Sequence, residues 1–235
     1  MSEPTPPLPH PDSLPSMPGP ASDSLEATLT RHGLALPPAV VVQLDNYCGH
    51  LWDWNRKLNL TRHTDYEKFV ARDLIDGMQL APLLKPGEAV LDVGSGGGVP
   101  GVLLAILRPD VRVSLSESVG KKAAALGSIV ESLKLAIPVH HARAEHLLAD
   151  LRFDVLTARA VGPLWKMLKW FQPHWRSIGR ILAVKGPKWV KERGEARHRG
   201  LLHDVELRRA AVYTTPGTNA ENVILKIWRK GQDEP

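Results

Sequence analysis

The run Val90-Leu91-Asp92-Val93-Gly94-Ser95-Gly96-Gly97-Gly98-Val99-Pro100-Gly101 constrains the fold of this chain more than any other segment. Apolar residues lead into an acid, and four glycines then fall within five positions. The pattern reads as a buried strand, a glycine loop and the start of a helix. Glycine lacks a Cβ, so the loop can take positive φ and bring bare backbone N–H groups against a ligand at the helix N-terminus. A strand–loop–helix unit of this kind opens an open, mostly parallel α/β sheet.

Three readings of the loop stand side by side. The glycines can serve only a tight turn, although four in five positions exceed what a turn demands. Gly96 to Gly101 also spell G-x-G-x-x-G, the dinucleotide fingerprint, which is a weak signal alone. The acid two residues before the first glycine gives D-x-G-x-G-x-G and favours a third reading. A dinucleotide has no need of that acid. S-adenosylmethionine (SAM) carries an ammonium group that a carboxylate can hold.

The rest of the chain fits a parallel sheet. Residues 1–23 carry eight prolines and no periodic apolar pattern, which predicts a disordered tail. From residue 24 to 86 the pattern is helical. Val41, Leu44, Cys48, Leu51 and Leu58 mark one apolar face behind Pro37 and Pro38. A second helix is expected from Tyr66 to Leu83, with Phe69, Val70, Leu74, Ile75, Met78 and Leu80 as its buried stripe. From 87 to 235 strands and helices alternate. Strands are expected at Ala89–Val93, Val111–Ser116, Val139–Ala142, Phe153–Thr157 and Arg180–Lys185. Helices are expected at Val99–Leu107, Val119–Leu135 and through Trp165 to Phe171. Val205–Thr215 and Asn222–Lys230 read as a terminal hairpin. The expected fold class is α/β: a Rossmann-like, mostly parallel seven-stranded sheet with an antiparallel terminal hairpin and an N-terminal helical extension. This is the plan of class I SAM-dependent methyltransferases.

Charge and cysteine content narrow the chemistry. The formal net charge is +5, a basic balance that suits an anionic partner such as nucleic acid. No apolar run reaches membrane-spanning length, and no basic residue precedes Arg31, so neither a membrane span nor a targeting leader is expected. A single cysteine, Cys48, leaves no disulfide framework and suits the cytoplasm. It lies on an apolar helix face. This argues against the cysteine nucleophile of carbon-5 pyrimidine methyltransferases. No metal site is expected, and no obligate protein partner is evident.

A SAM site would be assembled from the carboxyl ends of the strands. Asp92 is the candidate for the ammonium, or else only an acceptor of loop N–H bonds. Gly94, Gly96 and Gly98 allow close backbone approach, and Val99 lines the pocket. Glu117, at the end of the second strand and 21 residues after Gly96, is the candidate for the ribose hydroxyls. The backbone of Ala144 and Glu145 is placed to read adenine. Arg159 follows the fourth strand, where amino-group methyltransferases carry Asn/Asp-Pro-Pro-Tyr. An arginine is no base, but it can grip a phosphate or a guanine edge. Arg159 and Arg143 are the candidates for orienting a guanine, and Lys185 for a nearby phosphate. From Lys185 to Arg199 six Lys/Arg stand against two Glu. Trp189 lies among them, either on a solvated helix face or on an RNA footprint with an aromatic to stack. Without a base or nucleophile, the substrate atom must need neither, and guanine N7 has a free lone pair.

Taken in order, the motifs resemble the RsmG (GidB) family, the guanine-N7 methyltransferases of 16S ribosomal RNA. They comprise Asn59-Leu60-Thr61, Leu74-Ile75-Asp76-Gly77, the run Asp92 to Ile106 with Pro100, and Leu115 to Lys122. Arg143 to Glu145, Arg159-Ala160 and Leu182 to Gly186 complete them. The resemblance covers roughly Val41 to Trp228. It implies SAM contacts at Gly94, Val99, Ala144, Glu145 and Arg159, and a substrate in 16S ribosomal RNA or the small subunit. Departures are Glu117 for aspartate, Asp73 where histidine is common, Gly77 for serine and Val99 for leucine.

Overall fold

The structure, a computed structural model, describes residues 24–235. The expected proline-rich tail, 1–23, lies outside the described residues. Seven strands form one sheet in the order β3-β2-β1-β4-β5-β7-β6. Their bounds are β1 Ala89–Val93, β2 Arg112–Glu117, β3 Val139–His141, β4 Phe153–Arg159, β5 Ile178–Lys185, β6 Val205–Thr214 and β7 Glu221–Arg229. β1 to β5 run parallel, while β7 is antiparallel to both β5 and β6. The parallel core and terminal hairpin match the sequence expectation.

Strand residues alternate between two apolar layers, as the period of two requires. Val90, Val155 and Leu182 face one layer; Leu91, Leu156 and Ala183 face the other. On the first side lie α1 (Leu25–Arg31), α2 (Pro38–Asn55), α5 (Gly101–Leu107) and α6 (Gly120–Ser132). On the second lie α7 (Ala144–Asp150), α8 (Leu164–Phe171) and α9 (Trp189–His198). The N-terminal helices therefore share a continuous core with the sheet.

Two helical expectations are corrected. α2 stops at Asn55, because the Asn55 Oδ1 accepts the amides of Leu60 (2.8 Å) and Thr61 (3.0 Å) and turns the chain. Leu58 is therefore outside the helix. The run from 66 to 83 is helical as expected, but it is built of α3 (Tyr66–Lys68), a π segment (Phe69–Leu74), α4 (Ile75–Leu80) and a closing 3-10 turn (Ala81–Leu83). Phe69, Val70, Leu74 and Leu80 are buried, and so are Asp73 and Asp76. Three residues apart, these two acids share a face. π turns often mark functional positions.

Glycine at the start of α5 is a packing requirement. A Cβ on Gly101 would lie 2.8 Å from the Asp92 Cβ and 2.9 Å from its Oδ2. Gly127 in α6 has nothing within 4 Å of its would-be Cβ. Gly101→Ala is expected to destabilise by about 1–3 kcal/mol through overpacking. Gly127→Ala is expected to stabilise by about 0.5–1 kcal/mol through helix propensity. Urea midpoints of the two variants check both signs.

Candidate functional site

The glycine loop is held from behind by two carboxylates. Asp92, fully buried at the end of β1, accepts the Thr157 hydroxyl on Oδ1 (2.9 Å) and the Gly101 amide on Oδ2 (3.2 Å). It joins β1, β4 and the N-terminus of α5 and does not line a cleft. Burial pushes its carboxyl up to about 6, against these hydrogen bonds and the nearby Arg159, which lower it. Glu117, at the end of β2, accepts the amides of Gly96 (3.0 Å) and Val119 (2.8 Å), one on each oxygen. Each carboxylate oxygen has two lone pairs, so half of Glu117's accepting capacity remains.

The glycines divide by role. Gly94 and Gly96, both with positive φ, face open clefts. Gly98 is buried instead: its amide donates to the Ser95 carbonyl (2.7 Å), and a Cβ would meet the Val102 Cγ2 at 2.6 Å. From the front, α2 closes on the loop through the Tyr47 hydroxyl, which donates to the Gly97 carbonyl (2.9 Å).

Three clefts follow one another along the carboxyl edge of the sheet. The first, about 430 Å³, is lined by Gly94, Ser116, Ser118, Ala142 to Glu145, Val161, Lys166 and Trp170. The second, about 260 Å³, is lined by Gly94 to Gly97, Val99, Leu60 to His63, Asp73 and Arg159. They meet at Gly94 and Ala160. The third, about 450 Å³, contains His63, Arg72, Asp76, Arg159, Lys185 and Asn222 and shares His63, Arg159 and Ala160 with the second.

Arg159 stands where the second and third clefts join. It is the last residue of β4, not a loop residue as expected, because the β4–β5 ladder continues to Arg159↔Val184. Its guanidinium pairs with Asp73 (2.6 Å) and Asp76 (2.8 Å). Asp73 Oδ1 also contacts His63 Nδ1 (2.8 Å), and the Tyr213 hydroxyl donates to Asp76 (2.5 Å). Burial raises the Asp76 carboxyl, with Arg159 and Tyr213 pulling it back. Asp73 Oδ2 is enclosed with no hydrogen-bond partner among the described residues, so that carboxylate depends on contacts made through Oδ1.

Of the other two catalytic candidates, Arg143 lies apart from Arg159 and Lys185 shares its third cleft. Arg143 is exposed on the rim of the first cleft, 3.5 Å from Glu145, and the third cleft does not include it. Ala144 and Glu145 open α7 beside it, rather than lying in a loop. Lys185 does line the third cleft, but its ammonium is engaged by the Gly162 carbonyl (2.6 Å) and Glu192 (2.8 Å). Glu192 also accepts the Leu164 amide (2.8 Å), so the pair clasps β5 to the turn after β4. Trp189 is half-buried against the second core layer and lines none of the three clefts. Among the described residues no group of three or more His, Cys, Asp or Glu is placed to hold a metal, and no helix is long and apolar enough to cross a membrane. Sequence reasoning gave no site role to Tyr47, His63, Lys166 or Trp170. Tyr47 lies on α2 and His63 in the segment after it, while Lys166 and Trp170 stand one turn apart on α8.

Residues 41–219 match the family model GidB, rRNA small subunit methyltransferase G. The chain belongs to this family. A Rhodopirellula baltica protein named ribosomal RNA small subunit methyltransferase G is 52% identical over 188 residues, covering 80% of this chain and 81% of the relative. A Sorangium cellulosum protein of the same name is 36% identical over 236 residues, covering 97% and 95%. Among solved structures, M. capricolum TrmK in complex with S-adenosyl-homocysteine aligns with a TM-score of 0.53 at 14% identity, covering 66% of this chain and 68% of that one. A point mutant of MtNAS in complex with S-adenosylmethionine gives 0.53 at 18% identity, covering 86% and 83%. Both likenesses concern the fold alone.

The buried Asp92 makes stability depend on pH. Its folded value, about 6, is raised above the ordinary 3.8, so the folded state holds the proton more tightly. This contribution is therefore lost as pH rises from about 4 to about 7, by roughly 3 kcal/mol. Asp92→Asn is expected to lack that slope. Denaturant midpoints of the two proteins across this range check it; parallel curves contradict it.

Proposed function

We propose that this protein transfers a methyl group from SAM to N7 of one guanine in the 16S ribosomal RNA of the small subunit, acting in the cytoplasm. The observation that carries the reading is the junction of three clefts at Gly94, Ala160 and Arg159 on the carboxyl edge of the sheet. The names of the relatives, rRNA small subunit methyltransferase G, support the substrate class.

The residues present fit the cofactor. A Cβ on Gly94 would meet the Val161 Cγ1 at 2.9 Å, so the bare backbone keeps open the passage between the first two clefts. Ala142 to Glu145 would border adenine, and the free acceptor positions of Glu117 the ribose. Gly94, Gly96, Val99 and Arg159 would border the methionine portion. Asp92 acts through the loop it fixes. Bound SAM would supply an electrophilic methyl to the guanine N7 lone pair, and the bonding pair would return to sulfur. No proton leaves N7, so no general base is needed. The protein's part is positioning, with the reacting edge held by rigid strand ends rather than by loops. Arg159, its charge paired with two carboxylates, presents a rigidly held guanidinium edge at the passage between cofactor and substrate clefts. A nicotinamide enzyme would use a second nucleotide-binding half where the β6–β7 hairpin closes this sheet.

Undermethylated small ribosomal subunits incubated with the protein and radiolabelled SAM are expected to yield 7-methylguanosine as the only labelled nucleoside. Label on another base contradicts the choice of N7. No label, with S-adenosyl-homocysteine still bound, contradicts the choice of substrate.

A further inference from the structure

His63 has an arrangement that the site as described does not use. It lies between α2 and the helical run that starts at Tyr66, and its backbone carbonyl accepts the Trp52 indole N–H (2.8 Å). Its amide donates to the Thr61 hydroxyl (3.0 Å). Its Nδ1 lies 2.8 Å from Oδ1 of Asp73, whose side chain is 2% exposed. A buried carboxylate is an acceptor, so it selects the tautomer with the proton on Nδ1. The lone pair of a neutral ring then sits on Nε2, which has no partner among the described residues. The ring is a quarter exposed and lines both the second and the third cleft. Backbone, carboxylate and ring thus fix one free acceptor beside the passage between cofactor and substrate.

We propose that His63 contacts the target base, with Nε2 accepting the N1–H of guanine. This rests on the guanine-N7 reading above. Two physical points favour an acceptor here. When N7 forms its new bond to carbon, positive charge passes from sulfur to the guanine ring, and N1–H becomes a stronger donor. A neutral acceptor facing it gains more in the transition state than in the ground state, which is the condition for raising kcat. Adenine carries no proton on N1, so the same contact favours guanine. Asp73 is then a positioning residue, whose Oδ1 meets both His63 and Arg159. The acid at position 73 and the histidine at position 63 form one unit, built from two elements.

The test compares wild type, His63→Ala and His63→Gln, with thermal melting as the check on folding. Three quantities are read: S-adenosyl-homocysteine affinity by calorimetry, and kcat and KM on undermethylated small subunits. His63→Ala is expected to lower kcat by about 10- to 100-fold while cofactor affinity and KM stay within about 3-fold. His63→Gln, whose amide oxygen is again an acceptor, is expected to recover part of kcat. An unchanged kcat in His63→Ala overturns the proposal. So does a loss of cofactor affinity that matches the loss of kcat/KM, which makes His63 a wall of the cofactor cleft. So does His63→Gln falling as far as His63→Ala. Wild-type protein that binds S-adenosyl-homocysteine but transfers no methyl overturns the underlying guanine-N7 reading and this proposal together; an active wild type with an indifferent His63 overturns this proposal alone.

Discussion

The buried carboxylate of Asp92 is the contact on which the site is built. One oxygen takes the Thr157 hydroxyl from β4, the other the Gly101 amide at the start of α5. A single side chain thereby ties the two central strands, already paired through their backbones, to the start of the helix. Burying a carboxylate is costly unless its hydrogen bonds are made, and here the cost shows as a proton affinity raised to about 6. Glu117 performs the parallel task one strand over, on Gly96. Both acids brace this turn from behind by accepting backbone amides.

The second organising element is ionic. Arg159 is pinned by Asp73 and Asp76 from the helical run before β1. Tyr213 from β6 closes on Asp76, and His63 closes on Asp73. Four chain segments meet in one ionic cluster. Removing one member of such a buried group strands the charge of another, so these residues will not behave additively on mutation. The N-terminal helices therefore serve as one wall of the cleft.

Much of the fold was legible because it rests on local period and on punctuation. Alternating strands, glycine after β1, and the Pro-Gly turn of the hairpin are short-range signals. The glycine loop marked the strand ends along which the three clefts lie. Other features depend on distant partners. The end of α2 at Asn55 follows from a side chain capping amides five and six residues later. The extension of β4 to Arg159 follows from pairing with β5. Lys185 reads as a free cation in sequence, but Glu192 and Gly162 engage it. Arg143 lies by the first cleft because β3 and α7 carry it there, away from Arg159. His63 gave no signal at all, since its meaning comes from an aspartate ten residues away on a separate helix.

If the first two clefts form one cofactor site joined at Gly94 and Ala160, with Asp92 behind the loop, a crystal structure with S-adenosyl-homocysteine will show it. Adenine is then expected against Ala142 to Glu145, the amino-acid end among Gly94, Val99 and Arg159, and Asp92 still bonded to Thr157 and Gly101. A ligand seated elsewhere, or an Asp92 turned out of the core to contact it directly, rules this arrangement out.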